Sequence, residues 1–408
     1  MTDIFASMLK RMRDEKLMIP IYIDLPFTRT FALFFPSKMK GAPLLVFSPG
    51  GPGETGYDSI FKEYSPYIYD EETKSIKKNS GPYNLTSRFN LLYIDAPGDV
   101  GYSVVKKPEV YGDQVFTNQV VRVIKMIVKQ YGLENNAIDF FGYSYAGKIW
   151  PLVAEQLYKE GYKIGGLAIF SGYTDPIRQE IRPLNEFLLY GGLINSSEYQ
   201  RLESATDQIE RLVQTDYDKN WRQAQSLYIN TLTNAWGIAS AFTYDVKLPS
   251  LFVDPLDKDE DEDPLISAFM SSSQVKTILG VPQSVTFHPE ATVYSILTYK
   301  GFLQSSAQAL KFLADQGVPI IFVMGTMDGA VIAKGTRDMM QSLFNTRLIE
   351  ERWFYPLDNG EKLIGKISKV RPNVYYGTVI GSGHSLDTVE GSLGFIASMQ
   401  YLQSGQLP

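Results

Sequence analysis

Three residues in this chain have the types and surroundings that suit nucleophilic chemistry: Ser144, Asp328 and His384. The serine stands in Gly142-Tyr143-Ser144-Tyr145-Ala146-Gly147. Glycine lies two before it, alanine two after and glycine three after, one position off the strict G-x-S-x-G spacing. Small neighbours are what a nucleophile needs on a sharp strand-to-helix turn. There the backbone is strained, the hydroxyl is exposed and the next helix points its N-terminus at it. In that arrangement the Tyr145 amide donates to an oxyanion. The alternative is a Gly-rich β-to-α turn with no chemistry. An earlier run, Gly50-Gly51-Pro52-Gly53, lets the backbone approach a ligand and frees the Gly51 amide as a second donor. Alone it reads equally well as a tight surface turn.

The base is constrained by scarcity, because the chain has only two histidines. A serine nucleophile needs an imidazole to take its proton. His384 ends Gly381-Ser382-Gly383-His384, just after the apolar run 374–380. That is a loop at the carboxyl end of a strand, where parallel sheets gather ligands. His288 sits in Thr286-Phe287-His288-Pro289 and is expected at the surface or in a lid. Asp328 follows the apolar run 318–323 in Met324-Gly325-Thr326-Met327-Asp328. By itself it reads as a solvated loop aspartate; its place and order make it the acid that orients His384. The order Ser144, Asp328, His384 is that of α/β-hydrolases.

Elements that alternate between strand and helix are required to hold these residues. Residues 21–36 alternate and contain two aromatic runs, which predicts an N-terminal hairpin or meander. Short apolar runs at 43–48, 89–94, 137–141, 164–170, 318–323 and 374–380 predict buried strands. Residues 115–131, 148–159, 305–316 and 392–402 carry helical spacing. Strand–helix alternation calls for a mostly parallel sheet covered by helices on both faces. The segment 66–88, with Glu71, Glu72, Lys74, Lys77 and Lys78, reads as an exposed loop. From about 175 to 299 the pattern is mostly helical and rich in tyrosine, tryptophan and glutamine. The organisation expected is a core at 1–174 and 300–408 with a helical cap inserted at 175–299. Tyr228, Trp236 and Tyr244 in that cap are candidates for an apolar pocket, with ordinary core the plainer reading of each.

Composition sets the outer limits. The 408 residues are 44% hydrophobic and 21% charged, ordinary globular proportions, with net charge -6 and no basic stripe. No nucleic-acid partner is expected. No stretch approaches about 18 apolar residues, so no membrane span is expected. There is no cysteine, which removes disulfides, zinc thiolates and cysteine nucleophiles together. The acidic run Asp257-Lys258-Asp259-Glu260-Asp261-Glu262-Asp263 lacks the glycine and glutamate spacing of a helix–loop–helix calcium site and reads as a solvated loop. The sequence points to no cofactor and no metal. The first 20 residues have no uninterrupted apolar core of the kind a signal peptide needs. The protein is therefore expected either inside the cell or already processed. The expected partner is a peptide or small ester substrate, with a homodimer left open.

Taken together, several segments resemble the serine carboxypeptidase family. They are Gly50-Gly51-Pro52-Gly53, the run from Tyr93-Ile94-Asp95-Ala96-Pro97 through Gly101-Tyr102-Ser103, and Ser144-Tyr145-Ala146-Gly147. Ser171-Gly172-Tyr173-Thr174-Asp175-Pro176, the segment 275–281, Asp328 and Gly383-His384 follow in the family's order, so the resemblance covers roughly residues 20 to 402. It implies an α/β-hydrolase core with a helical insertion and release of C-terminal residues through an acyl-enzyme. It implies Ser144 as nucleophile, His384 as proton shuttle, Asp328 as its orienter, and the Gly51 and Tyr145 amides as the oxyanion hole. Gly50, Glu63 and Tyr143 fall at substrate-binding positions. Some relatives transfer acyl groups instead, so an esterase or acyltransferase, an aminopeptidase-like hydrolase and a non-catalytic binding protein stay open at this level.

Two departures bear on specificity. The family's asparagine before the two glycines, which holds the substrate carboxylate, is Pro49 here. The glutamate before the nucleophile, which pairs with a second glutamate matching Glu63, is Tyr143. Paired acids share a proton and favour carboxylate binding at low pH. Loss of one is expected to remove that acid preference and to weaken carboxylate recognition.

Overall fold

A computed structural model describes residues 1–107, 110–241, 265–292, 298–386 and 388–408, with side chains for all of these except 232–241 and 265. The acidic run 257–263, the Trp236 side chain and Tyr244 lie outside the described residues. The chain forms two compact units. One comprises Met1–Gly142, Val153–Gly166 and Asp261–Ser295; the other comprises Tyr143–Leu152, Leu167–Glu260 and Ile296–Pro408.

The first unit starts with helix α1 (Thr2–Asp14), which buries Phe5, Ala6, Met8, Leu9 and Met12 on one face. Spacing of three and four puts these residues on a single stripe. Strands β1 (Ile19–Asp24) and β2 (Thr28–Phe35) form the expected antiparallel hairpin. Strands β3 (Leu44–Ser48), β4 (Asn90–Ile94) and β5 (Ile138–Tyr143) complete the order β1-β2-β4-β3-β5. β3 runs parallel to both β4 and β5. β3 and β4 are buried along their whole length, as strands covered on both faces must be. Helix α2 (Asp113–Gln130) buries Phe116, Val120, Ile124 and Ile127 at helical spacing.

Residues 66–88 are not an exposed loop. Tyr67–Asp70 and Ser75–Lys78 pair as an antiparallel hairpin. Tyr67 and Tyr69 are buried while Glu71, Glu72 and Lys74 occupy the turn. The period-two burial of two tyrosines outweighs the polar average of the segment. Tyr69 meets Phe5 and Phe269 edge-on, with ring centroids 6.3 and 5.6 Å apart.

In the second unit strands β6 (Ile164–Phe170, of which Leu167–Phe170 belong to this unit), β7 (Ile320–Gly325), β8 (Glu351–Leu357), β9 (Gly360–Arg371) and β10 (Val374–Val379) take the order β6-β7-β10-β9-β8. β6, β7 and β10 are parallel, and β8 and β9 add an antiparallel hairpin that the apolar pattern did not signal. Helix α3 (Ala146–Lys159) follows the Ser144 turn, and helix α4 (Arg182–Tyr190) continues a π-helical turn, Ile177–Ile181. Helix α5 (Ser196–Ala241) is interrupted at Asp216, where φ is -160° and ψ is 86°. Its start is a reciprocal cap: Asn195 Oδ1 accepts from the Ser197 and Glu198 amides, and Glu198 accepts from the Asn195 amide. Helices α6 (Ala307–Asp315), α7 (Ala333–Phe344) and α8 (Val389–Ser404) complete the unit.

Candidate active site

Ser144 opens the turn between β5 and α3 with φ of 51°, in the left-handed region that a non-glycine residue adopts only under constraint. The constraint comes from the ends of the turn. The Ser144 amide donates to the Phe170 carbonyl at 3.0 Å, and the Ser144 carbonyl accepts from the Tyr173 amide at 2.8 Å. Gly147 lets the helix start press on the next loop: a Cβ there would lie 2.7 Å from the Gly172 Cα. Pro151, inside α3, has no N–H for the Gly147 carbonyl four residues back. That carbonyl instead accepts from the Thr174 hydroxyl at 2.8 Å. The loop Ser171–Thr174 therefore fills the gap that Pro151 leaves in the helix ladder. Tyr145, the oxyanion candidate, is buried and stacks on Tyr173 and Phe302. Lys148 is also buried, its ammonium held by the Gly301 and Phe302 carbonyls.

Asp328 and His384 come from loops after adjacent parallel strands, β7 and β10. The two loops are stitched together. Thr326 and Met327 amides donate to the Val379 and Ser382 carbonyls, at 3.0 and 2.9 Å, and the Gly381 amide donates to the Thr326 hydroxyl at 2.9 Å. Gly325 has no room for a side chain, since a Cβ would lie 2.2 Å from the Gly383 carbonyl oxygen. The result is a fixed pair: His384 Nδ1 is 3.1 Å from both Asp328 carboxylate oxygens. An ionised carboxylate only accepts, so Nδ1 carries the proton and Nε2 is left as the base. Asp328 Oδ1 also accepts from the Ala330 and Val331 amides, both at 2.9 Å. The Asp328 side chain is fully buried and the His384 side chain is 11% exposed.

The remaining site candidates divide between the units. Gly50 and Gly51 follow β3 in the first unit with φ of 116° and 100°. A Cβ on Gly51 would lie 2.4 Å from the Gly53 nitrogen, so only glycine fits. The register pairs Ser48 with Gly142, two residues before Ser144. Glu63 is exposed on the π-helical turn Ile60–Tyr64 of the first unit. Tyr143, in the second, is half-buried with its ring 5.3 Å from that of Phe170. His288 is half-buried and forms a two-way backbone bridge with Gly101.

Glu180 and Asp95 are buried carboxyl groups to which the sequence reading gave no role. Glu180 accepts hydrogen bonds from Tyr173 and Tyr228, and burial pushes its carboxyl up to about 7. Its signal was available: it shares the helical stripe of Ile177, Ile181 and Leu184, where a charge stands out. Tyr228 is buried as part of this polar cluster. Asp95, in the quoted Asp95–Ser103 motif, is buried in the first unit and likewise pushed up to about 7 by burial.

Comparison with known proteins points to one family. The family model described as serine carboxypeptidase matches residues 27–399. The chain is 26% identical over 259 residues to serine carboxypeptidase-like 50 from Arabidopsis thaliana, covering 62% of this chain and 55% of that protein. It is 33% identical over 219 residues to serine carboxypeptidase S10 family member 2 from Dictyostelium discoideum, covering 47% of this chain and 37% of that one. The chain thus spans about half or less of the length of these curated relatives. It also shares a fold, at TM-score 0.73 and 18% identity, with a prohormone-processing carboxypeptidase from Saccharomyces cerevisiae, covering 93% of this chain and 90% of that one. An α/β-hydrolase fold with a parallel sheet centre, a strained serine turn and a family match over nearly its whole length place this chain in the serine carboxypeptidase family.

Proposed function

We propose that the protein is a serine-type carboxypeptidase that releases C-terminal residues from peptides, with Ser144, His384 and Asp328 as its catalytic triad. The observation that carries this reading is the Asp328–His384 pair, 3.1 Å between Nδ1 and the carboxylate, with Ser144 on a strained turn. His384 Nε2 takes the Ser144 hydroxyl proton as Oγ attacks the scissile carbonyl. The Gly51 and Tyr145 amides receive the oxyanion. The departing amino acid leaves with the proton from His384, and Ser144 keeps the acyl group as an ester. Water then attacks that ester, His384 again taking and returning one proton, and the shortened peptide leaves. Asp328 orients His384 and stabilises the imidazolium of both steps. Gly50, Glu63 and Tyr143 are proposed to contact the substrate.

Pro49 and Tyr143 in place of the family's asparagine and glutamate give this proposal a specific form. Recognition of the free carboxylate is weaker than the family pattern implies, and without a second acid beside the nucleophile it carries no preference for acid pH. The test is turnover of an N-blocked dipeptide, its C-terminal amide and its ester from acid to neutral pH, with Ser144→Ala as control. The reading expects the free acid to be cleaved in preference to the amide and Ser144→Ala to lose at least about 10⁴-fold in kcat. Cleavage of the ester alone would replace the peptidase reading with an esterase or acyltransferase. No turnover of all three would favour a binding role.

A further inference from the structure

The second unit contains a carboxyl group that the acyl-transfer steps leave unused. Glu180 is 6% exposed and sits on the π-helical turn Ile177–Ile181. Such turns carry one extra residue in the ring, and here every residue but Arg178 is buried, the acid among them. Its Oε2 accepts from the Tyr173 hydroxyl at 2.8 Å and from the Tyr228 hydroxyl, and the two hydroxyls are 3.2 Å apart.

The neighbouring Gln179 locks the turn in place. Its Oε1 accepts from the Thr174 and Asp175 amides, both at 2.6 Å. Its Nε2 donates to the Gly172 carbonyl at 2.7 Å and to the Thr336 hydroxyl at 2.8 Å.

Tyr173 joins this cluster to the nucleophile turn by two separate contacts. Its amide donates to the Ser144 carbonyl, and its ring stacks on that of Tyr145 at a centroid distance of 6.0 Å. The titratable groups that act on Glu180 are Tyr173 and Tyr228, by hydrogen bond, and His384 and Asp328, by charge alone. Burial raises the Glu180 carboxyl most; the two hydroxyls and His384 lower it, and Asp328 raises it again.

We infer that Glu180 is a positioning residue of the acyl-transfer reaction: through Tyr173 it braces the Ser144 turn, and as an anion it stabilises the imidazolium of His384. The inference rests on the reading of Ser144 and His384 proposed above. Coulomb attraction is mutual, so ionised Glu180 raises the proton affinity of His384, and protonated Glu180 does not. Glutamine in its place keeps the shape and an acceptor while removing the charge.

The experiment follows the ring signals of the two histidines by NMR through a pH titration of wild type and Glu180→Gln, with His288→Gln to assign them. His384 in Glu180→Gln is expected to titrate about one unit lower than in wild type. In kinetics with the blocked dipeptide, kcat of Glu180→Gln falls about tenfold with KM little changed, and the acid limb of kcat/KM moves to lower pH. Its thermal midpoint at pH 8 is not lowered, because a buried ionising group has been removed. Glu180→Asp, which keeps the charge, returns His384 toward the wild-type midpoint. An unmoved His384 midpoint in Glu180→Gln overturns the inference. So does a loss of kcat matched by a fall in thermal midpoint with His384 unmoved, the mark of a structural role alone. A wild-type chain without turnover would sink the acyl-transfer reading; the titration, which needs no turnover, still decides whether Glu180 acts on His384.

Discussion

Among the described residues each unit buries a carboxyl group among tyrosines, and the two clusters end in different places. In the first, Asp95 Oδ2 accepts from the Tyr57 hydroxyl at 2.7 Å and from the Tyr102 amide at 2.8 Å. The loop it closes is held from outside as well: Gly101 bridges to His288, and Asp99 accepts from the Thr292 amide and hydroxyl. Asp95 thus anchors one segment of chain to another. In the second, Glu180 and its two tyrosines end on the carbonyl of Ser144. Burial pushes both carboxyl groups up to about 7, so the shift by itself does not mark function. What differs is the residue at the far end of the hydrogen-bond chain.

The largest effect expected from that contrast is at Gly101. Its φ is 60°, and a Cβ there would lie 2.1 Å from Asp95 Oδ2. Gly101→Ala is expected to cost about 4 kcal/mol in urea denaturation or to prevent folding. Wild-type stability would contradict the anchoring role of the loop. Next in size is Asp95→Ala, which strands the Tyr57 hydroxyl and the Tyr102 amide and is expected to cost about 3 kcal/mol. Its kcat per folded molecule should equal wild type. A drop in kcat would erase the distinction between the two clusters.

The smallest effect concerns a third acid that lacks such tyrosine donors. Asp139 is buried in β5, its Oδ1 has no hydrogen-bond partner among the described residues, and burial pushes its carboxyl up to about 8. Asp95, Asp139 and Glu180 all hold their protons to higher pH in the fold than in the unfolded chain, where carboxyls titrate near pH 4. Folding therefore binds protons between about pH 4 and pH 8, and stability falls as pH rises through that window. Asp139→Asn should remove its share of the slope and raise stability at pH 8 relative to wild type, with little change at pH 4. An unchanged slope across pH 4 to 8 would show that Asp139 is already ionised in the fold.

Much of this architecture was legible because parallel strands covered on both faces are continuous apolar runs. β3, β4, β5, β6, β7 and β10 all appear as such in the sequence, and the three triad candidates stand just beyond three of them. The hairpin at 67–78 was hidden because charges fill its turn and the end of its second strand while only two tyrosines report the buried face. β8 and β9 were hidden because charged residues such as Glu351, Glu361 and Lys366 fill their exposed positions. The Asp328–His384 pairing was inferable from order and scarcity, whereas the stitching of their loops depends on backbone amides and has no side-chain signature. Glu180 stands in the apolar stripe of Ile177, Ile181 and Leu184, but its partners Tyr173 and Tyr228 lie 7 and 48 residues away and leave no local signature.

The central claim is that Ser144 is a nucleophile activated by His384 and oriented by Asp328. Its most direct measurement is reaction with a fluorophosphonate followed by mass spectrometry of the peptides, on wild type, Ser144→Ala and His384→Ala. The account predicts one phosphonyl group on wild type, located on Ser144, none on Ser144→Ala, and labelling of His384→Ala slowed by about 10³-fold or more. Label on another residue, or a Ser144 that stays unmodified while the chain is folded, would contradict it.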